Sequence, residues 1–206
     1  MNKKNIIFDM DGTILDSMTA WKNLGHNYLK RIGIRPTEDL EQTIAAMTLY
    51  EAAEYFHKEL GVDKEPETIL NEVVELIRLE YYERIPAKSG MKELIMKEKM
   101  QKSRMCILTT SDYECADRAM KRLGLRDCFE EIYTAGQLGM SKRESGIYEK
   151  ACELMGFEPK QTIVYEDVLH AVKAAKQAGC YVVAVYDHAS KDDWDKLCDV
   201  ADEYIR

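Results

Sequence analysis

The chain alternates between two hydrophobic periods. Ile6, Ile7 and Phe8 form an apolar run too short for a helix, which predicts a buried strand. The run ends at Asp9-Met10-Asp11-Gly12-Thr13. From there the spacing lengthens: Met18, Trp21, Leu24, Tyr28 and Ile32 recur at helical intervals and stop near Gly33. Pro36-Thr37 opens another segment. Leu49, Ala53, Phe56 and Leu60 form the next stripe, ended by Gly61. A third runs from about Pro66 to Arg84, with Ile69, Val73, Leu76 and Ile77 inward and glutamates outward. Nothing between residues 17 and 84 has strand period, so this block is predicted to be all helical.

The pattern breaks at Ile85-Pro86-Ala87-Lys88-Ser89-Gly90, where Pro and Gly mark a connection. Beyond it, helix 91–101 precedes strand 105–108, and helix 112–123 precedes a short strand at 131–133. Helix 145–155 precedes strand 162–165, and helix 168–178 precedes strand 181–185. Gly124, Gly156 and Gly179 follow three of these helices, as terminators in the left-handed region do. A last helical turn at 194–198 and an edge strand at 203–205 end the chain. Strands alternating with helices of this length imply βαβ units. The predicted class is α/β: a Rossmann-like parallel sheet sandwiched by helices, built from residues 1–16 and 85–206. Residues 17–84 are then an inserted helical cap beside the C-terminal end of the first strand.

Composition narrows the setting. The 206 residues carry a formal charge of −8 and no basic stripe, which argues against nucleic acid or a membrane surface as partner. No run reaches membrane-spanning length, and Met1-Asn2-Lys3-Lys4 leads into only a few apolar residues rather than a signal peptide. The six cysteines are scattered without a C-x-x-C pair. Cys106 and Cys180 fall in or beside strand patterns and read as small buried hydrophobes. A cytoplasmic monomer is the default expectation.

Candidate chemistry gathers at strand ends. In extended backbone Asp9 and Asp11 project from one face. Two carboxylates that close raise each other's pKa unless a cation compensates, and a hard ion such as Mg²⁺ fits. Alone, the same residues make an ordinary turn. After the strand ending at Leu108 come Thr109, Thr110 and Ser111, with Ser111-x-x-Glu114 reading as a capping box. Hydroxyls beside a helix N-terminus suit a phosphate, although a plain cap looks alike. Lys142 precedes the 145–155 helix and could reach a phosphate oxygen. Glu166-Asp167 ends the 162–165 strand as a second acidic pair. Such acids also suit a helix dipole. Taken in order, the four signals assemble one site for a divalent cation and a phosphoryl group.

Asp9-Met10-Asp11-Gly12-Thr13 resembles the D-x-D-G-T signature of the haloacid dehalogenase superfamily. Thr109 resembles its second-motif Ser/Thr, Lys142 its third-motif lysine and Glu166-Asp167 its acidic pair. The likeness extends over the whole chain, including the helical insertion, and is nearest the phosphoglycolate phosphatase and β-phosphoglucomutase subgroup. It implies Asp9 as nucleophile, Asp11 as general acid and base, and Gly12, Thr109, Thr110 and Lys142 at the phosphoryl group. It further implies Mg²⁺ held by Asp9, Asp11 (through its main-chain carbonyl) and Asp167, with Glu166 behind. Arg143 and Ser145 stand where the subgroup usually has prolines, Val168 where serine is frequent and Ala171 where glycine is frequent.

The expected function is Mg²⁺-dependent hydrolysis of a small phosphomonoester, a phosphorylated metabolite. The alternatives are a sugar phosphomutase and a non-catalytic protein that binds a phosphorylated metabolite. Trp21 occupies the position of a histidine that serves the mutase branch, which disfavours the first, and it is a candidate for substrate choice. Thr48, Tyr50 and Tyr81 are further candidates in the cap.

Overall fold

A computed structural model describes residues 4–206, so the Met1-Asn2-Lys3 part of the N-terminal reading lies outside the described residues. The chain forms two compact units. One comprises the N-terminal segment through Met18 together with Ile85–Arg206, and the other is Thr19–Arg84.

The first unit is built on a six-stranded, wholly parallel sheet. Its strands are β1 (Asn5–Phe8), β2 (Arg104–Thr109), β3 (Glu131–Thr134), β4 (Thr162–Glu166), β5 (Tyr181–Val185) and β6 (Glu203–Ile205). Their spatial order is β3-β2-β1-β4-β5-β6, so the chain winds outward from β1 in one direction and then in the other. Parallel strands need covering on both faces, which is why Ile6, Ile7 and Phe8 are all fully buried. Successive residues serve opposite faces. Ile7, Cys106, Leu108, Val164, Val182 and Ala184 join one apolar cluster with α9 (Ser145–Met155) and α10 (Leu169–Gln177). Phe8 faces the other way, stacked on Tyr165 at 4.6 Å and edge-on to Phe129 at 5.9 Å.

The β1 register fixes the level of the site. Phe8 pairs with Ile107 on one side and Tyr165 on the other, and Asp9 N–H adds one more rung to the Tyr165 carbonyl at 2.9 Å. Residues following Phe8, Ile107 and Tyr165 therefore emerge together at the carboxyl edge. That edge, where strand order reverses, is the ligand position of open α/β sheets.

The second unit is helical, with no strand among its described residues: α1 (Met18–Lys22), α2 (Leu24–Arg31), α3 (Leu40–Ile44), α4 (Leu49–Lys58) and α5 (Pro66–Glu83). The single stripe expected from Met18 to Ile32 is two helices separated at Asn23. Tyr28 stacks on Phe56, and its hydroxyl donates to Glu72 at 2.8 Å. A Cβ at Gly25 would collide with Ile44 and press on Phe56, so glycine permits that close packing.

Back in the sheet unit, α6 (Met91–Met100) and α7 (Tyr113–Leu123) lie at the expected places. The four-residue α8 (Ala135–Leu138) was not legible from period, being barely one turn long, and is set by a capping box between Thr134 and Gln137. The last helix is α11 (Trp194–Val200).

Candidate active site

Asp9 leaves β1 into a tight turn in which Ile14 and Leu15 N–H both donate to the Met10 carbonyl, at 2.9 and 2.8 Å. Its carboxylate is buried. Lys142, reaching in from the loop before α9, donates to Asp9 Oδ1 at 2.6 Å, Glu166 Oε2 at 2.5 Å and the Leu108 carbonyl at 3.2 Å. Its three donors are thus used, and its ammonium is almost fully enclosed. Burial by itself would lower the lysine pKa, but Asp9 and Glu166 outweigh it and hold the group well above its ordinary value. Desolvation, helped by Glu166 and opposed by Lys142, pushes the Asp9 carboxyl up to about 7. Asp167 is also raised, chiefly by burial and then by Asp9 and Glu166.

These shifts describe a surplus of buried negative charge. Asp9, Glu166 and Asp167 each bring a carboxylate oxygen within 4.8 Å of the others. Asp9 Oδ2 and Asp167 Oδ2 are buried without any hydrogen-bond partner. A buried polar atom left unpaired costs about 1–3 kcal/mol or more when charged. Two such atoms facing one acidic cluster are what a divalent cation would satisfy, so the residues fit Mg²⁺. Glu166 is otherwise committed: Oε2 accepts from Lys142 and from Tyr148 at 3.2 Å, and Oε1 from the N–H groups of Asp167 and Val168. That arrangement suits support behind an ion better than direct ligation.

Asp11 is set apart from this trio. Ser17 donates to its Oδ1 at 2.7 Å and Ser111 to its Oδ2 at 2.6 Å. The expected Ser111 capping box is corrected. Asp112 caps α7 instead, accepting from Glu114 N–H, because the helix begins at Tyr113 and so puts Asp112, not Ser111, at the cap position. Thr109 is fully buried at the end of β2, its hydroxyl accepting from Ser111 N–H at 3.0 Å, whereas Thr110 is exposed. Gly12 has φ +85°, and a side chain there would strike the Asp167 carboxylate. Hence only glycine lets the turn approach so closely. Trp21, in the helical unit, donates its indole N–H to the Tyr81 hydroxyl at 2.9 Å. Tyr81 is buried there, and Thr48 caps α4.

Four contributors escaped sequence reasoning. Thr13 donates to Asp167 Oδ1 at 3.1 Å, which leaves the other oxygen of Asp167 unbonded. Ser17 and Tyr148 hold Asp11 and Glu166, and Lys88 binds the Gly12 carbonyl at 2.7 Å. Thr13 at least lay inside the quoted motif. The others are ordinary polar residues whose partners are fixed only by topology.

The pattern of the haloacid dehalogenase-like hydrolases matches residues 6–185. The fructose-1-phosphate phosphatase YqaB of Escherichia coli is 26% identical over 185 residues, covering 87% of this chain and 95% of that protein. A phosphorylated carbohydrates phosphatase of Thermotoga maritima is 24% identical over 187 residues, covering 91% and 87%. A Thermotoga maritima crystal structure assigned as a beta-phosphoglucomutase shares the fold with a TM-score of 0.87 at 23% identity, over 98% of this chain and 94% of that one. With the matched region spanning the sheet from β1 to β5 and every acid of the buried cluster, the chain belongs to the haloacid dehalogenase-like hydrolase family.

Proposed function

We propose that this hydrolase is a Mg²⁺-dependent phosphatase that cleaves a small phosphomonoester through an aspartyl-phosphate on Asp9. The observation carrying the reading is the pair of unpartnered oxygens on Asp9 and Asp167 inside a buried acidic cluster anchored by Lys142. The Asp9 and Asp167 carboxylates and the Asp11 main-chain carbonyl would hold Mg²⁺, with Glu166 behind. When bound, the ion supplies positive charge that offsets the carboxylates and the incoming phosphoryl oxygens.

The residues divide the work. A carboxylate oxygen of Asp9 forms a bond to phosphorus as the bond to the ester oxygen breaks. Asp11 gives its proton to that leaving oxygen, then takes one from the water that attacks the aspartyl-phosphate, releasing inorganic phosphate and restoring Asp9. Ser17 and Ser111 orient Asp11 for both transfers. Lys142 offsets part of the burial that raises Asp9 and, by exchanging one of its present acceptors for a phosphoryl oxygen, is assigned to the phosphoryl group together with Thr109. Thr110 is exposed and is assigned a rim position at the same phosphate.

Relatives named for fructose 1-phosphate and phosphorylated carbohydrates support a sugar or polyol phosphate as substrate. We assign that choice to the helical unit, as a cap, with Trp21 among the residues responsible. Trp21 in place of a proton-relaying histidine favours hydrolysis over mutase transfer. The reading includes a cytoplasmic setting, supported by six cysteines none of which is joined in a disulfide. Among the described residues, no helix is long and apolar enough to cross a membrane.

Release of phosphate from an aryl phosphate and from a panel of hexose and hexitol phosphates tests the proposal. Turnover is expected with Mg²⁺, and Asp9→Asn is expected to lower it by about a thousandfold or more. A wild-type protein inert across the panel overturns it.

A further inference from the structure

Lys88 lies just beyond the return of the chain from the helical unit. Its ammonium donates to the Gly12 carbonyl at 2.7 Å, the Tyr186 carbonyl at 2.5 Å and Asp187 Oδ2 at 2.7 Å. All three donors are used, and the ion pair is largely enclosed, with the Lys88 side chain 16% and that of Asp187 4% exposed. The backbone is fixed as well. Lys88 N–H donates to the Ile14 carbonyl at 2.8 Å, Asp16 N–H donates to the Pro86 carbonyl at 3.0 Å, and Leu15 pairs with Ala87. Asp187 is held in turn, its Oδ1 accepting from Ala189 N–H at 2.8 Å.

The Gly12 carbonyl belongs to the peptide joining Gly12 to Thr13. Thr13 bonds one oxygen of Asp167 and leaves the other unpartnered. The path from Lys88 to that unpartnered oxygen is therefore one peptide and one hydroxyl long. Side chains that orient ligands from behind are commonly worth ten- to a hundredfold in metal affinity.

We propose that Lys88 is a positioning residue for the divalent-cation site: held by Asp187, it pins the Gly12–Thr13 peptide so that Thr13 keeps Asp167 with one oxygen bonded and one free. The inference rests on the reading that Asp9 and Asp167 hold Mg²⁺. Charge alone predicts the opposite effect of losing Lys88. An uncompensated Asp187 beside an already acidic cluster would draw a cation more strongly.

Titration calorimetry of Mg²⁺ into the metal-free full-length protein separates the two. Lys88→Met is expected to weaken binding by about tenfold or more, and Lys88→Arg, which restores donors to both carbonyls, to recover most of that loss. Should Lys88→Met lack a cooperative unfolding transition, Lys88→Gln is judged by the same criterion. Unchanged or tighter binding in the neutral variant overturns the inference while the wild-type site stands. A wild-type protein that does not bind Mg²⁺ overturns both this inference and the proposed cation site.

Discussion

At Asp9 the energetics of the site reduce to one carboxyl group. Its folded pKa is raised from the ordinary value to about 7 in the metal-free protein, so the folded state binds a proton more tightly than the unfolded chain. Its contribution to stability is therefore greatest in acid and declines as pH rises from about 4 through 7. Urea unfolding of wild type and Asp9→Asn at pH 5 and pH 8, without metal, checks the sign: wild type should lose stability relative to the variant at the higher pH. Because Mg²⁺ competes with that proton, its affinity should rise with pH over the same window, with proton release measurable in buffers of different ionisation enthalpy. Gly12→Ala belongs to this scale too. A positive φ and a collision with Asp167 predict at least a hundredfold loss of turnover, together with weakened Mg²⁺ binding.

Elements determine which of these residues can meet. The small side chains Ala171, Ala174 and Ala175 let α10 lie close against the sheet cluster, which seats the segment that follows Glu166-Asp167. Ala175→Leu should overpack that face and cost about 1–3 kcal/mol, read as a shift in urea midpoint at constant slope. Period and punctuation made β1, β2, β4, β5 and their helices legible, because parallel strands are short continuous apolar runs and glycine closes the helices. Gly124 and Gly156 do so with φ of +71° and +63°. Asp9, Lys142, Glu166 and Asp167 were legible for a related reason: each follows or precedes such an element. Ser17, Tyr148 and Lys88 were not, since a hydroxyl or ammonium has no period and finds its acceptor only after distant strands are in register. Ser111 misled because α7 starts one residue later than its pattern suggests, which gives the cap to Asp112 while the Ser111 hydroxyl donates to Asp11, a hundred residues away in sequence. The break at Asn23 shows a third limit, as one apolar stripe can run over two helices.

Across the whole molecule, Mg²⁺ binds only the folded sheet unit in the proposed reading and so should stabilise it by mass action. Saturation at about a hundred times the dissociation constant gives about 2.7 kcal/mol. A thermal melt with Mg²⁺ against chelator should rise by several degrees, and Asp167→Asn should remove most of the rise. The helical unit enters this picture through its attachment. The chain departs at Met18 and returns at Ile85, and the residues on either side, Leu15-Asp16 and Pro86-Ala87, are hydrogen-bonded to each other. Entry and exit thus share one doorway in the sheet unit. A different helical module could be spliced through it without rethreading a single strand of the sheet.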